Sequence, residues 1–119
     1  MDSNRIRTAL GFAMRAGKCI SGDFICEKAV KNGTALVVAV DEGASEATRE
    51  RYTGMCQRAG IPCVFIEDLG RAIGKDNRMI AAVTSRYGRT AIILICDNSG
   101  FKERTALAAN KSNPIAIPQ

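Results

Sequence analysis

Two short segments of the chain place basic side chains beside glycine-containing turns, a combination that suits the binding of phosphate groups. In residues 19–31, Gly22 permits a close approach of the backbone where a helix begins, and the N–H groups exposed there can meet an anion. Lys28 and Lys31 follow on one side of the same helix. In residues 69–78, the sequence KDNR forms a polar loop with two cations. If the fold brings the two segments together, they form one surface for a phosphate-containing partner.

Positive charge is concentrated in the parts of the chain that contain these segments. The net charge of the whole chain is +5. Residues 1–35 contain six Lys or Arg against three acidic residues, residues 36–70 contain three against six, and residues 71–96 contain five against one. This distribution favours a phosphate-rich partner, although many basic domains carry such charge only for solubility.

Residue types that common catalytic mechanisms need are missing. The chain contains no His, which removes the commonest general base and rules out a Ser-His or Cys-His nucleophile. Acidic pairs at 41–42 and 67–68 follow predicted strands, where carboxylates ordinarily favour the start of the next helix. The segment GRAIGK, residues 70–75, is one residue shorter than a phosphate-binding loop, and Asp76 stands where Ser or Thr would bind magnesium. The sequence therefore predicts a non-catalytic protein without a cofactor or a metal ion.

The cysteines predict free thiols rather than disulfides or a zinc site. They are Cys19, Cys26, Cys56, Cys63 and Cys96. Five cysteines cannot all pair, none stands in a C-x-x-C motif, and no His is present to complete a zinc site. Buried thiols in a reducing cytosol are therefore expected. The N-terminus is too polar for a signal peptide and no apolar run reaches the ~18 residues of a membrane span, so we expect a cytoplasmic protein.

Hydrophobic periodicity and turn residues predict helices that alternate with strands. Helices are predicted between Ser3 and Gly17, between Gly22 and Gly33, between Ser45 and Gly60, over residues 68–73 and over residues 85–96. Strands are predicted over residues 19–21, 35–40, 63–66 and 79–83. Residues 92–95 fit a strand as well as a helix by periodicity alone. This alternation predicts an α/β fold with helices on both faces of a sheet.

The helices carry apolar stripes that are expected to face the core. In the second helix the stripe is Ile25, Cys26, Ala29 and Val30. In the third helix it is Thr48, Tyr52, Met55, Cys56 and Ala59. The pattern fades after residue 96, so residues 1–96 are predicted to form the domain. Residues 97–119 are predicted to form a polar, weakly structured C-terminal extension with one weak helix over 101–109.

Seven motifs along the chain resemble one protein family. They are LGFAMRAGK (10–18), ISG (20–22), KNG with Lys28 before it, ALVVAVDEGAS (35–45), GIPC (60–63), DLGRAIGK (68–75) and AAVT (81–84). In this order they are similar to the ribosomal protein L-seven-Ae family of kink-turn RNA binders, and particularly to its small bacterial ribosomal-protein-like members. The resemblance implies a three-layer α-β-α sandwich with a four-stranded mixed sheet, and RNA binding without catalysis.

The same resemblance implies that the RNA-binding surface joins the start of the second helix to the loop before the last strand. Gly22 and Lys28 match the family's helix-start Gly and Lys, and residues 75–78 match the loop that packs on flipped-out bases. The family's Asn-Glu pair, which reads tandem G·A pairs, is replaced by Phe24 and Ile25, and neither side chain can make those hydrogen bonds. Phe24 either is exposed for stacking on a base or packs against the first helix. The prediction is therefore general binding of structured RNA, with kink-turn recognition as one form of it.

The predicted RNA-binding residues come from both segments. They are Ser21, Gly22, Asp23, Phe24, Lys28, Lys31, Arg71, Lys75, Asp76, Asn77 and Arg78. The expected partner is structured RNA, ribosomal or another non-coding RNA, bound by a cytoplasmic monomer that is associated with the ribosome. An alternative is a protein-interaction module that kept the fold and lost RNA binding, with Phe24 and Ile25 in an apolar contact patch.

Overall fold

Helices and strands alternate along the part of the chain that the structure describes. The computed structural model describes the backbone of residues 2–99 and the side chains of residues 4–95. The helices are α1 (Asp2–Arg15), α2 (Asp23–Lys31), α3 (Glu46–Ala59), α4 (Leu69–Ile73) and α5 (Arg86–Ser99). The strands are β1 (Cys19–Ser21), β2 (Val37–Asp41), β3 (Cys63–Ile66) and β4 (Ile80–Val83). The predicted order of elements is confirmed, and residues 92–95 lie in α5 rather than in a strand.

The four strands form a mixed sheet in the order β1-β4-β2-β3. β4 lies between β1 and β2 and is antiparallel to both, whereas β2 and β3 are parallel. The register pairs Ser21 with Ala81 across β1 and β4, and Val40 with Ile80 across β2 and β4. The predicted four-stranded mixed sheet is therefore confirmed, and its last strand lies beside its first.

Strand side chains alternate between two hydrophobic cores because successive residues of a strand point to opposite faces of the sheet. In β2, Val37 and Ala39 join the core that α1, α4 and α5 cover. Val38 and Val40 join the core that α2 and α3 cover. The molecule is thus a three-layer α-β-α sandwich, which confirms the fold that the resemblance implies.

Capping residues explain where α3 begins and ends. Ser45 Oγ accepts a hydrogen bond from the N–H of Thr48 at 3.1 Å, and Gly60 takes the left-handed conformation at the other end, with φ 75°. Both ends agree with the prediction. By contrast, α1 begins at Asp2, so the predicted cap Ser3 lies inside the helix.

The last helix extends further than its periodicity predicts. α5 continues to Ser99, three residues beyond the predicted end at residue 96. The predicted helix over residues 101–109, and most of the predicted extension over 97–119, lie outside the described residues.

Two residues that were assigned to inward faces are exposed, so these two predictions are wrong. Ile25 is 52% exposed. Cys26, Ala29 and Val30 form the buried stripe of α2, and Ile25 lies about 100° around the helix from Cys26 because a helix has 3.6 residues per turn. Ala59, the last residue of α3, is also exposed.

The described cysteines are free and buried, as predicted: Cys19, Cys26, Cys56 and Cys63. Burial raises the pKa of Cys19 to about 11 and the pKa of Cys26 to about 12. A hydrogen bond with Cys56, together with burial, raises the pKa of Cys63. Because the thiolate is the nucleophilic form, the protonated thiols of Cys19, Cys26 and Cys63 fill the core rather than react.

Candidate nucleic-acid interface

Pairing of β1 with β4 brings the two predicted segments together. Gly22 donates its backbone N–H to the carbonyl oxygen of Ile80 at 3.0 Å. Arg78 Nη1 lies 3.4 Å from the position that a Cβ on Gly22 would occupy. The start of α2 and the loop before β4 therefore form one continuous surface, residues 21–31 and 75–78, which we call the helix-start surface.

Gly22 determines the shape of the backbone where α2 begins. Its φ of 111° and ψ of 143° lie in a region that other residues rarely occupy. It is the N-cap residue of α2, and no side chain makes a capping hydrogen bond there. The N–H groups of the first helical turn have no partner inside the helix, and the helix dipole is positive at this end. These donors can therefore bind an anion such as a phosphate group.

α3 holds the start of α2 in place. Arg51 binds both carboxylate oxygens of Asp23, at 2.8 and 3.1 Å, and also Glu27 Oε1 at 2.9 Å. The hydroxyl of Tyr52 lies 2.7 Å from Asp23 Oδ1 and 2.8 Å from the carbonyl oxygen of Asp23. The hydrogen bonds from Arg51 and then Tyr52 lower the pKa of Asp23, so its carboxylate is charged at neutral pH. Asp23 therefore anchors α2 to α3 through its side chain.

The two lysines of α2 differ in their electrostatic surroundings, although both are exposed. Lys31 Nζ forms an ion pair with Glu27 Oε2 at 3.0 Å, which compensates part of its charge. Among the described side chains, Lys28 forms no ion pair. Lys28 is therefore the lysine of α2 whose charge is available to a partner.

α4 carries the loop 75–78 at its end. The helix terminates at Gly74, and Lys75 donates its N–H to the carbonyl oxygen of Gly70 at 2.9 Å. A Cβ on Gly70 would lie 2.8 Å from the carbonyl oxygen of Lys75, so only glycine lets the loop fold back against α4. Asn77 has φ 70°, which Asn tolerates better than most residues. All four loop side chains are exposed.

Apolar side chains are exposed within and beside the helix-start surface. Phe24 is 78% exposed, Ile25 is 52% exposed, and Met79, which follows the loop, is 43% exposed. The alternative in which Phe24 packs against α1 is wrong. An exposed aromatic ring beside N–H donors and cations is suited to stacking on an unpaired base.

Two predicted site residues, Arg71 and Ser21, differ from the others in where they lie. Arg71 lies on α4, where it lines a cleft together with Arg7 and Arg15 of α1. Ser21 is half-buried in β1, where it pairs with Ala81. The structure thus places Ser21 beside Gly22 but brings Arg71 to the side of α4 that faces α1.

Known proteins share this fold and sequence pattern. The sequence profile of the Ribosomal protein L7Ae/L30e/S12e/Gadd45 family matches residues 4–98 of the chain. The chain belongs to this family. The resemblance that the seven motifs indicate is therefore confirmed.

Two bacterial proteins are similar to this chain over most of its length. The RNA-binding protein YlxQ of Bacillus subtilis is 35% identical to this chain over 91 residues, which cover 74% of this chain and 91% of that protein. The RNA-binding protein YlxQ of Enterococcus faecium is 30% identical over 89 residues, 72% of this chain and 86% of that protein.

Solved structures show the same architecture. A protein of unknown function from Bacillus halodurans superposes with a TM-score of 0.73 at 28% identity, covering 78% of this chain and 97% of that chain. The Giardia lamblia 15.5kD RNA binding protein superposes with a TM-score of 0.72, covering 83% of this chain and 88% of that chain. Its identity to this chain is 19%, so this second likeness shows the fold alone.

Arg51 and Tyr52 are the residues of this region whose role the sequence did not reveal. Asp23 and Arg51 are 28 positions apart, so no local spacing rule connects them. Tyr52 was assigned to the apolar stripe of α3, and its side chain is buried there. The available signal was its hydroxyl, because a buried Tyr usually needs a hydrogen-bond partner.

Asp41, the first residue of the acidic pair at 41–42, has a structural role in this fold. The carboxylate of Asp41 accepts hydrogen bonds from the N–H of Gly43 at 2.7 Å and from the N–H of Leu69 at 3.0 Å. It thereby ties the turn after β2 to the start of α4. Among the described side chains, no group of three or more His, Cys, Asp or Glu is placed to hold a metal ion. Within the same part of the chain, no helix has the length and apolar character needed to span a membrane.

Proposed function

We propose that this protein binds structured RNA through the helix-start surface and catalyses no reaction on it. The observation that carries the proposal is the packing of Gly22, at a helix start without a side-chain cap, against Arg78 of the basic loop. Membership of the family supports the proposal. The relatives from Bacillus subtilis and Enterococcus faecium, both named RNA-binding proteins, support it as well.

Different parts of the surface contribute different contacts in the proposed complex. The N–H groups of the first turn of α2 bind a phosphate group, and Lys28 binds a neighbouring one. Lys75 and Arg78 bind phosphates on the other side of Gly22. Phe24 stacks on an unpaired base. The remaining proposed contacts of this surface are Ser21, Asp23, Lys31, Asp76 and Asn77, and Arg71 is a proposed RNA contact outside it.

The proposed RNA is a ribosomal or other non-coding RNA with a sharp bend, such as a kink-turn. Phe24 and Ile25 cannot form hydrogen bonds to tandem G·A pairs, so recognition depends on the shape of the bent backbone and on an unstacked base. We further propose that the protein acts as a monomer in the cytoplasm and associates with ribosomal RNA, since the family includes ribosomal proteins.

A filter-binding titration tests the proposal with a hairpin RNA that contains a kink-turn and an uninterrupted hairpin of the same length. Lys28→Ala/Arg78→Ala should weaken binding about 30–150-fold, because each lost charge-assisted contact contributes roughly 1–1.5 kcal/mol. The same variant should reduce the slope of log affinity against log salt by about 2, since each neutralised phosphate adds roughly 0.9.

The matched control is Lys18→Ala/Arg58→Ala, which also removes one lysine and one arginine. Lys18 lies at the end of β1 opposite Gly22, and Arg58 lies in the last turn of α3. This variant should bind the hairpin like the wild type. If Lys28→Ala/Arg78→Ala bound the RNA as tightly as the wild type, the result would refute the proposed surface. Equal losses of affinity in both double variants would show that binding depends on net charge alone. If the wild type bound the two hairpins with equal affinity, the result would refute kink-turn recognition.

Exposed apolar side chains favour a second candidate function, that of a protein-interaction module. The observation is that Phe24, Ile25 and Met79 are exposed by 78%, 52% and 43%, and such side chains usually mark contact sites when they form a patch. Purification from cells after ribonuclease treatment tests this function. A protein partner that survives the treatment and is lost with Phe24→Ala would favour it over RNA binding.

A further inference from the structure

A cleft between α1 and α4 is lined by arginines on both sides. Its volume is about 480 Å³, and its lining includes Arg7, Gly11 and Arg15 from α1 together with Asp68, Arg71 and Ala72 around α4. Three arginines against one carboxylate leave these lining residues with a net charge of +2. The cleft is therefore a cationic groove that is separate from the helix-start surface.

Two of the three guanidinium groups, those of Arg7 and Arg15, are oriented by contacts within the protein, and no ion pair with a described carboxylate neutralises any of the three. Arg7 Nη1 donates a hydrogen bond to the carbonyl oxygen of Glu67 at 3.1 Å, and Arg15 Cζ lies 4.8 Å from the centroid of the Phe12 ring. Arg71 is exposed on α4. Planar guanidinium groups that are held in this way can bind phosphate oxygens with two parallel hydrogen bonds.

The floor of the cleft is formed by backbone because α1 and α4 meet at a glycine. A Cβ on Gly11 would lie 2.9 Å from the carbonyl oxygen of Ala72, so the two helices could not approach each other as closely with another residue there. Arg15 Nη1 lies 3.5 Å from the same position, which places this guanidinium group over the floor. The middle of the groove is thus lined by backbone and its sides by cations.

We propose that this cleft binds the sugar–phosphate backbone of an RNA strand and so makes a second contact with the RNA. The choice of RNA as the ligand rests on the function proposed above. Arg7 and Arg15 are eight positions apart, which corresponds to about 12 Å along a helix at 1.5 Å per residue. Phosphates of a stacked strand follow one another at roughly 3.4 Å along the axis, so the groove spans about four of them. A groove of this length fits a strand better than one small anion.

α4 connects the cleft with the helix-start surface. Arg71 is followed along the short helix by the loop 75–78, and its neighbour Gly70 packs directly against Lys75 and Arg78. An RNA strand that leaves the loop and crosses α4 therefore reaches the cleft. The three arginines add affinity without reading base sequence, because phosphate contacts carry no sequence information.

NMR titration of the ¹⁵N-labelled full chain tests the proposal with two probes, a single-stranded octauridylate and inorganic phosphate. The amide signals of Gly11 and Ala72 should shift with octauridylate and stay unchanged with inorganic phosphate at the same phosphate concentration. Arg71→Glu should weaken the octauridylate response of these signals about tenfold, as expected for the loss of one charge-assisted contact. Arg58→Glu makes the same change of charge at the far end of α3 and should leave the response intact.

The outcomes separate this proposal from the proposed function. Absence of shifts at Gly11 and Ala72 would overturn the cleft site, even if the hairpin titration supports the helix-start surface. Shifts at these residues would support the cleft site even if Lys28→Ala/Arg78→Ala binds the hairpin normally. Equal shifts with inorganic phosphate would overturn the assignment to an RNA strand. Equal weakening by Arg71→Glu and Arg58→Glu would overturn the role of the cleft.

Discussion

Tyr52→Phe removes one hydroxyl group from the contact through which α3 holds the start of α2. The side chain of Tyr52 is 0% exposed, and its hydroxyl lies 2.7 Å from Asp23 Oδ1. Phe keeps the ring and the packing, so the loss is that of a hydrogen bond to a charged group, roughly 1.5–3 kcal/mol. Arg51 still binds Asp23 at 2.8 and 3.1 Å, so we expect the lower value, about 1.5 kcal/mol.

The effect of Tyr52→Phe should depend on pH at both ends of the scale. Hydrogen bonds from Arg51 and Tyr52 lower the pKa of Asp23 below its usual value of 3.8. Their contribution to stability is therefore present above pH 3.8 and is lost as the pH falls through the lowered pKa. Burial, and then the hydrogen bond with Asp23, raise the pKa of Tyr52 well above its usual value of 10. The wild type therefore loses stability as the pH rises above 10, because the unfolded chain ionises first.

Urea unfolding followed by circular dichroism measures the effect of Tyr52→Phe at each pH. At neutral pH the midpoint should fall by about 1 M if the slope is roughly 1.5 kcal/mol/M. Tyr87→Phe is the matched control, because Tyr87 is 89% exposed, and it should unfold like the wild type. The difference between Tyr52→Phe and the wild type should shrink below pH 3.8 and above pH 10. Identical behaviour of the two variants at neutral pH, or a difference that does not change with pH, would refute the reasoning.

Three further substitutions test backbone and capping features. Gly22→Ala should destabilise the protein by roughly 1–3 kcal/mol, because φ is 111° and the new Cβ would lie 3.4 Å from Arg78; urea unfolding measures the loss. Gly54→Ala should stabilise the protein by about 0.5–1 kcal/mol and raise its Tm, because Ala is favoured inside a helix and the new Cβ meets only the end of a flexible arginine side chain. Ser45→Ala should cost about 1 kcal/mol in urea unfolding through loss of the N-cap hydrogen bond.

A different result would contradict each of these three predictions. If Gly22→Ala were as stable as the wild type, the result would show that the backbone at this position changes conformation at little cost in free energy. A lower Tm for Gly54→Ala would show that the middle of α3 is packed too tightly for a methyl group. Ser45→Thr keeps the capping hydroxyl and serves as the control for Ser45→Ala. Equal destabilisation by both substitutions would show that the hydroxyl is not the cause.

The elements of the fold were predictable where they depend on near neighbours in the chain. The ends of α3 follow from Ser45 and Gly60, whose hydrogen bonds join residues at most five positions away. β2 was recognisable from an apolar run because it is covered on both faces. The prediction that Ile25 is buried was wrong because Ile25 is as apolar as a core residue. Apolar character alone does not distinguish a residue at the edge of a buried helix face from one at its centre.

The candidate surfaces were predictable only in part. The residue types alone predict that Gly22, Lys28 and the loop 75–78 bind phosphate, and the structure brings them to one surface. Arg71 is close to the loop in sequence, but in the structure it lines a cleft together with Arg7 and Arg15. The anchoring of Asp23 by Arg51 was not foreseen, because residues 28 positions apart show no periodic relation.

The sequence by itself determined the α/β class, the alternation of helices and strands, and the two basic segments. These properties depend on local preferences and on which face of each element is apolar, and both are readable along the chain. Only the tertiary structure decided that Gly22 meets Arg78 and that Arg71 faces α1. Both contacts depend on the neighbours of each element: β4 pairs with β1 in the strand order β1-β4-β2-β3, and α4 packs on α1 at Gly11. Periodicity shows which face of an element is buried, but it does not show which other element covers that face.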